Sequence, residues 1–141
     1  MNGLPPAGSQ QSLETARLSL KPCSPAHILA LIEQPPRVFL VHHGIRVVIG
    51  SAGFKGPPDS TGTVEIAYGI APSFQGQGYA TEAAGALVAL AFEAPLVELV
   101  RAHTLPAANA STRVLVKCGF RHVGGVVDPE DGPVWRWERG R

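Results

Sequence analysis

A short glycine-rich stretch separates a strand-like segment from the longest helix-like segment of the chain. The strand-like segment, Thr63–Ile70, alternates large apolar residues with small or charged ones, whereas Tyr79–Phe92 repeats alanine and leucine at helical spacing. Between them lies Gln75–Ala80, with glycine at positions 76 and 78. Glycine leaves neighbouring N–H groups unshielded, and the first N–H groups of a helix have no partner within it. This junction therefore predicts a main-chain site for an anion such as phosphate.

Two well-known phosphate-binding motifs do not fit this junction. A P-loop places lysine and then serine or threonine directly after its last glycine, but Gly78 is followed by Tyr79 and Ala80. The dinucleotide-binding fingerprint needs a third glycine, and Thr81 stands at that position. The loop is thus neither of these motifs, and Gly-x-Gly alone is also typical of a plain turn.

The strand-like segment presents two different faces, because successive side chains of a strand point to opposite sides. Val64, Ile66, Tyr68 and Ile70 lie on one face, and Glu65, Ala67 and Gly69 lie on the other. The second face is thus one carboxylate followed by two very small residues. A ligand lying flat against it and a closely packed helix are both compatible with this pattern.

Composition limits the class of protein. A chain of 141 residues fits one domain, and 12 Lys and Arg against 11 Asp and Glu leave a formal net charge of +1. The clustered positive charge of a nucleic-acid-binding protein is therefore not expected. With 45% hydrophobic and 16% charged residues, the chain is not of the disordered type. Its 16 glycines and 13 prolines predict many turns.

Several features indicate a reducing, cytoplasmic location. The two cysteines, Cys23 and Cys118, do not form a disulfide framework, and no Cys/His group has zinc-site spacing. The longest apolar stretch, Ala83–Phe92, is far shorter than the roughly 20 residues that cross a bilayer. Residues 1–12 lack the features of a secretory signal. We expect residues 1–12 to form a flexible leader and residues 13–141 to form a single domain.

The predicted elements place three helices among seven strands, separated by proline- and glycine-rich turns. The strands are predicted at Arg17–Lys21, Arg37–His43, Arg46–Phe54, Thr63–Ile70, Val97–Thr104, Arg121–Val127 and Val134–Glu138, and the helices at His27–Glu33, Tyr79–Phe92 and Ala110–Cys118. This order predicts an α/β fold of the mixed α+β kind, with one sheet flanked by helices.

The glycine-rich loop and its surroundings resemble a known family. Gln75–Ala80 matches the Gln/Arg-x-x-Gly-x-Gly/Ala acetyl-CoA motif of the GNAT acetyltransferases. Four further segments resemble, in the same order, the branch that includes the ribosomal-protein N-terminal (alanine) acetyltransferases. They are Glu14–Pro22 (ETARLSLKP), Val64–Ile70 (VEIAYGI), Thr81–Ala83 (TEA) and Asn109–Phe120 (NASTRVLVKCGF). The resemblance covers nearly all of the chain after the leader.

This resemblance implies the GNAT acyl-CoA N-acyltransferase fold, a mostly antiparallel sheet that splays between its fourth and fifth predicted strands, Thr63–Ile70 and Val97–Thr104. It implies that the amides of Gln75–Ala80 bind the coenzyme A pyrophosphate and that the strand edge at Val64–Ala71 holds the pantetheine. A backbone N–H near Ile70–Ala71 would polarise the thioester carbonyl. The implied cofactor-binding residues are Ile70, Ala71, Gln75, Gly76, Gln77, Gly78, Tyr79, Ala80, Asn109 and Ser111.

The resemblance also implies catalytic residues. An amine that attacks a thioester must lose a proton, and the departing thiolate is helped by a proton donor. Glu65 is the candidate base, and a Glu65 that only caps or forms a salt bridge is the alternative. The tyrosine that many members carry in the last helix is absent, because Val114–Val116 occupies its position. Ser111 is the substitute candidate for the acid, and Asp128 is a second one. The alternative is a thiolate that leaves without help from an acid.

The resemblance therefore implies an acetyl-CoA-dependent N-acetyltransferase that works by direct attack of a primary amine in a ternary complex. The acceptor is a protein N-terminus or a small-molecule amine, and the residues do not decide between them. No metal, nucleic acid or membrane partner is expected, and a homodimer is left open. The alternative is a catalytically silent acyl-CoA-binding module for sensing or assembly, which would keep the loop and need no base.

Overall fold

The computed structural model describes residues 13–22 and 38–141. The helix predicted at His27–Glu33 and the leader predicted at residues 1–12 lie outside the described residues and stay predictions. The strands are β1 Leu13–Glu14, β2 Leu18–Pro22, β3 Val38–His42, β4 Val48–Phe54, β5 Thr63–Ile70, β6 Leu99–Thr104, β7 Arg121–Asp128 and β8 Gly132–Gly140. The α-helices are α1 Tyr79–Glu93 and α2 Ala110–Lys117, and a short 3-10 helix spans Pro72–Phe74.

All eight described strands form one sheet in the order β1-β2-β3-β4-β5-β6-β8-β7. Every neighbouring pair is antiparallel except β5 and β6, which run parallel because α1 connects them. The prediction of a mostly antiparallel sheet flanked by helices is confirmed.

The sheet opens between β5 and β6. These strands pair from Thr63 opposite Leu99 to Glu65 opposite Arg101, and the ladder ends there. Beyond that point β5 continues along β4 to Ile70, while β6 continues along β8. The predicted splay is therefore present, and it leaves a gap in the sheet next to the glycine-rich loop.

The small residues of α1 let it pack closely on the sheet. Ala83, Ala84, Leu87 and Ala91 are fully buried, as their helical spacing predicts. On β5, Val64 and Ile66 are buried beneath this helix, while Glu65 lies on the opposite face of the sheet. Packing on one face thus leaves the other face and the gap accessible to ligands.

The turn between β3 and β4 is longer than the predicted His43-Gly44 turn. It includes Ile45, and Arg46 after it has a positive φ of 55°. The His42 ring explains the extension, since its Nδ1 accepts hydrogen bonds from the amides of Gly44 and Ile45. As a result, β4 begins at residue 48 rather than at residue 46.

Candidate active site

The glycine-rich loop has the backbone geometry of an anion cradle. Gly76 and Gly78 have φ values of +78° and +86°, in the left-handed region that favours glycine. Gly78 is the N-cap residue of α1, and no side chain caps this helix start. The first N–H groups of α1 are therefore left for a ligand, and the helix dipole adds partial positive charge.

A cleft of about 770 Å³ extends from this cradle along the end of β5 to α2. Of the predicted cofactor-binding residues, Ile70, Gln75, Gly76, Gly78, Tyr79, Ala80, Asn109 and Ser111 line it, whereas Ala71 and Gln77 do not. Two basic residues that the sequence interpretation missed, Arg113 and Lys117, also line the cleft from α2. Their four-residue spacing on one helix face is the signal that would have found them.

Two hydrogen bonds show which edge of β5 faces the gap. The Ala71 amide donates to the Ile49 carbonyl of β4 at 2.8 Å, and the Glu65 carbonyl accepts from the amide that follows β4, also at 2.8 Å. Main-chain groups of alternate residues point to opposite edges of a strand. Those of Tyr68 and Ile70 therefore point into the gap, where an extended ligand with amide groups could pair with them.

Of the pair Ile70–Ala71, whose backbone N–H groups are the candidates to polarise a thioester carbonyl, Ala71 uses its N–H within the sheet. The N–H of Ile70 points into the gap and remains the candidate. Gln75 lies at the end of the free edge, where its Nε2 donates to the Ile70 carbonyl at 2.9 Å. The side chain of Gln75 is thus committed to the strand, and its backbone borders the cradle.

A second cleft of about 450 Å³ lies on the other side of the gap. Its charged and polar lining includes Lys55, Glu65, His103 and Asp131. The two clefts share four lining residues, Tyr68, Leu105, Asn109 and Ser111. A thioester reaching the end of the first cleft would therefore meet a molecule bound in the second.

Tyr68 stands at this junction, and the sequence interpretation did not include it among the site residues. Its phenol interacts with the Ser111 hydroxyl, and burial raises the pKa of Tyr68 to about 12 in spite of that hydrogen bond. The phenol consequently keeps its proton at neutral pH. The alternation pattern placed Tyr68 on the core face of β5, and only the splay exposes the end of that face.

Glu65 lines the second cleft and is held by two partners. Its Oε2 lies 2.9 Å from Nδ1 of His103 and 3.4 Å from Nζ of Lys55. Within the part of the chain that the structure describes, no hydrogen bond involves the other oxygen, Oε1. Glu65 thus forms the salt bridge of the alternative interpretation and still offers one oxygen to the cleft.

Asn109, a candidate for cofactor binding, and Asp128, a candidate acid, both have hydrogen-bond partners within the fold. The side-chain oxygen of Asn109 accepts from the Thr112 amide and caps α2. Asp128 accepts from the amides of Glu130 and Asp131 in the β7–β8 turn. The backbone hydrogen bonds from Asp131 and Glu130 hold the pKa of Asp128 below its usual value, which makes it a poor proton donor at neutral pH.

Neither described α-helix is long and apolar enough to cross a membrane. The described residues contain no group of three or more His, Cys, Asp or Glu arranged to hold a metal ion.

Several solved structures that are similar to this one are acetyltransferases. A GNAT-family acetyltransferase from Bacillus anthracis matches with a TM-score of 0.74 and 17% identity, over 92% of this chain and 98% of that one. AAC(6')-Ib in complex with ribostamycin and coenzyme A matches with a TM-score of 0.66 and 27% identity, over 75% of this chain and 64% of that one. A ribosomal-protein-S5-alanine acetyltransferase from Vibrio fischeri matches with a TM-score of 0.66 and 16% identity, over 74% of this chain and 61% of that one.

The first and third matches are too distant in sequence to show more than the fold. No curated protein matches the sequence. The family model of the acetyltransferase (GNAT) domain matches residues 5–121, which is most of the chain. Membership implies acyl-CoA-dependent acetyl transfer. The chain belongs to the GNAT acetyltransferase family.

Proposed function

We propose that the protein transfers an acetyl group from acetyl-CoA to a primary amine by direct attack in a ternary complex. The observation that carries this proposal is the meeting of two clefts at Tyr68 and Ser111, across the splay of the sheet. One cleft begins at an uncapped helix start suited to a diphosphate, and the other contains a carboxylate suited to an amine.

The cofactor cleft fits coenzyme A in shape and charge. The cradle at Gly76 and Gly78 would bind the diphosphate, and Arg113 and Lys117 add positive charge on the opposite wall. The gap-facing edge of β5 would pair with the pantetheine amides. A cleft of about 770 Å³ is within the usual range for small-molecule sites.

Acetyl-CoA supplies a thioester whose carbonyl carbon the amine attacks, so that a C–N bond forms as the C–S bond breaks. Oε1 of Glu65 takes the proton that the amine loses, either directly or through a water molecule that bridges the carboxylate and the amine. The N–H of Ile70 stabilises negative charge on the carbonyl oxygen. Tyr68, whose phenol stays protonated, donates a proton to the departing thiolate, and Ser111 orients that phenol. Both side chains regain their original protonation from solvent after the products leave.

For the acceptor we propose two classes of amine, a protein N-terminus and a small-molecule amine. The solved relatives include one of each type by their names, a ribosomal-protein-S5-alanine acetyltransferase and an aminoglycoside acetyltransferase bound to ribostamycin. We also propose a cytoplasmic location and no metal requirement, as the sequence predicts.

The test is release of free coenzyme A thiol from acetyl-CoA in the presence of a panel of amines. The panel contains peptides with free N-termini, polyamines and aminoglycosides. Thiol release that depends on one class, with the acetylated amine identified by mass spectrometry, would support the proposal. Calorimetric binding of acetyl-CoA with no turnover on any amine would instead support the silent binding module.

A further inference from the structure

Three side chains on neighbouring strands form one hydrogen-bonded row across the face of the sheet that carries Glu65. Nδ1 of His103 on β6 lies 2.9 Å from Oε2 of Glu65 on β5, and Nε of Arg136 on β8 lies 3.1 Å from Nε2 of His103. The backbone sets this spacing, because His103 and Arg136 are direct partners in the β6–β8 ladder. We call these three residues the Glu65–His103–Arg136 row.

The row specifies the protonation of the imidazole. An arginine guanidinium donates hydrogen bonds and accepts none, so Nε2 of His103 must act as the acceptor and carry no proton. The single proton of a neutral ring then sits on Nδ1, where it is donated to Glu65. Protonation of Nε2 would break its bond to Arg136 and place a second positive charge beside the guanidinium.

We propose that Arg136 is a positioning residue that holds the His103 ring through Nε2, in the orientation in which Nδ1 donates to Glu65. The ring in turn holds the Glu65 carboxylate through Oε2, so that the other oxygen, Oε1, stays available to take a proton. The part that concerns catalysis rests on the proposed function, whereas the protonation of His103 does not.

Other charged side chains border the row from every element around it, and none of them replaces Arg136. They are Lys55 after β4, Arg101 on β6, Glu138 on β8, and Asp128 and Asp131 at the β7–β8 turn. Arg101 is paired with Glu138 at 2.7 Å, and the half-exposed Lys55 contacts Glu65 rather than the ring. Among the described residues, Arg136 is the cation that hydrogen-bonds His103.

The most direct test is the ¹⁵N NMR spectrum of the His103 ring in the protein without substrate. The His103→Gln variant assigns the signals. We expect the wild-type spectrum to show the ring proton on Nδ1, protected from exchange with water by its hydrogen bond to Glu65. In the Arg136→Met variant, which keeps the apolar stem and loses the donor, we expect the Nε2 signal to shift and the Nδ1 proton to exchange faster, because the ring is no longer held in place.

The matched control is Arg101→Met, the same substitution one step along the same sheet face. It removes a cation that does not touch the ring, so the His103 spectrum should stay like that of the wild type. An Arg136→Met spectrum that equals the wild-type one would overturn the proposal, as would a wild-type ring that carries its proton on Nε2. Neither outcome depends on finding the acceptor amine, so failure of this inference is separable from failure of the proposed function.

With an amine substrate in hand, kinetics provides a second readout. Arg136→Met should lower kcat about tenfold or more, because the His103 ring then no longer holds Glu65 in one orientation. The KM for acetyl-CoA should not change, and Arg136→Lys should restore part of the rate because it keeps a positive donor. An Arg136→Lys variant that restores none of the rate, or a KM for acetyl-CoA that rises with the loss of kcat, would assign Arg136 a purely structural role and contradict the inference.

Discussion

The carboxylate of Glu82, in the first turn of α1, accepts hydrogen bonds from both the side chain and the backbone of Arg17, at 2.8 Å and 2.7 Å. The hydroxyl of Thr15 donates to the same carboxylate. The guanidinium of Arg17 also lies over the ring of Tyr79, 4.3 Å from its centre. These contacts tie the start of α1, which forms the phosphate cradle, to the chain segment that precedes β2.

The first prediction concerns the stability that Glu82 provides. Burial opposes its ionised form, but the hydrogen bonds from Thr15 and Arg17 and the charge of Arg17 outweigh burial and hold the pKa of Glu82 below its usual value. Glu82→Gln should therefore lower the free energy of unfolding by about 1 to 3 kcal/mol at pH 7. Urea unfolding of both proteins measures the difference.

The pH dependence of this difference has a definite sign. Because the pKa of Glu82 is lower in the folded state, its stabilisation is complete above the unfolded value near 4.5 and is lost as the pH falls through the folded value. The gap between wild type and Glu82→Gln should thus shrink on acidification. Glu93→Gln, at the exposed far end of the same helix, is the control and should change little. A gap that stays constant down to pH 3 would contradict this account.

The second prediction separates Tyr68 from Ser111. Tyr68→Phe should reduce kcat at least about tenfold with little change in acetyl-CoA affinity, because it removes the proposed proton donor and keeps the ring. Ser111→Ala leaves that phenol in place, so its effect on kcat should be smaller. Steady-state kinetics and calorimetry on both variants measure the two effects. A larger loss for Ser111→Ala would return the acid role to Ser111, where the sequence interpretation put it.

Local patterns in the sequence were sufficient for the two described α-helices, the mostly antiparallel sheet and the left-handed backbone at Gly76 and Gly78. The alanine spacing of α1 and the two glycines before it act over short distances, so they predict packing and backbone geometry directly. Tyr68 was missed for a different reason. Its alternation with Val64 and Ile66 correctly predicts the core side of β5, but its access to the clefts depends on where β5 leaves β6, which is a property of two strands far apart in sequence.

For the same reason, the sequence did not show which of the two N–H groups, that of Ile70 or that of Ala71, faces the gap. Which edge of a strand is free depends on the hydrogen-bond register with its neighbour, and a shift of one residue reverses the assignment. Pairing of Ile70 with Gly50 makes the Ala71 amide face β4. The sequence did not predict the partners of Glu65 either, because His103 comes from β6 and Lys55 from the loop after β4.

The third prediction concerns Glu65 as the base. Glu65→Gln keeps an oxygen for the His103 hydrogen bond and removes the ability to take a proton, so turnover should fall about 100-fold. Acetyl-CoA affinity should be unchanged, because Glu65 lines the second cleft and not the first. Asp131→Asn, a second carboxylate in the same cleft, should retain most of the activity. Wild-type turnover of Glu65→Gln across the pH range would remove Glu65 from the mechanism.

The fourth prediction concerns the basic wall of the cofactor cleft. Arg113→Gln and Lys117→Gln should each weaken acetyl-CoA binding several-fold, or about 1 kcal/mol, at low ionic strength, and the effect should fade in concentrated salt because exposed charges are screened. Titrations at two salt concentrations measure both features. Arg121→Gln, exposed on β7 and outside the cleft, serves as the control. If Arg121→Gln weakened acetyl-CoA binding by the same factor, the effect would come from the net charge of the protein and not from the wall of the cleft.

The measurement that tests the central claim most directly is a calorimetric titration of acetyl-CoA into the wild-type protein and the Gly78→Glu variant. The wild type should bind acetyl-CoA. The variant should not, because its new side chain would put a Cβ and a negative charge at the cradle. Gly119→Glu replaces a glycine at the end of α2 that has a similar φ, +85°, and lines neither cleft. It controls for backbone strain and should bind acetyl-CoA normally. Equal affinity of folded Gly78→Glu and wild type would contradict a phosphate cradle at the start of α1.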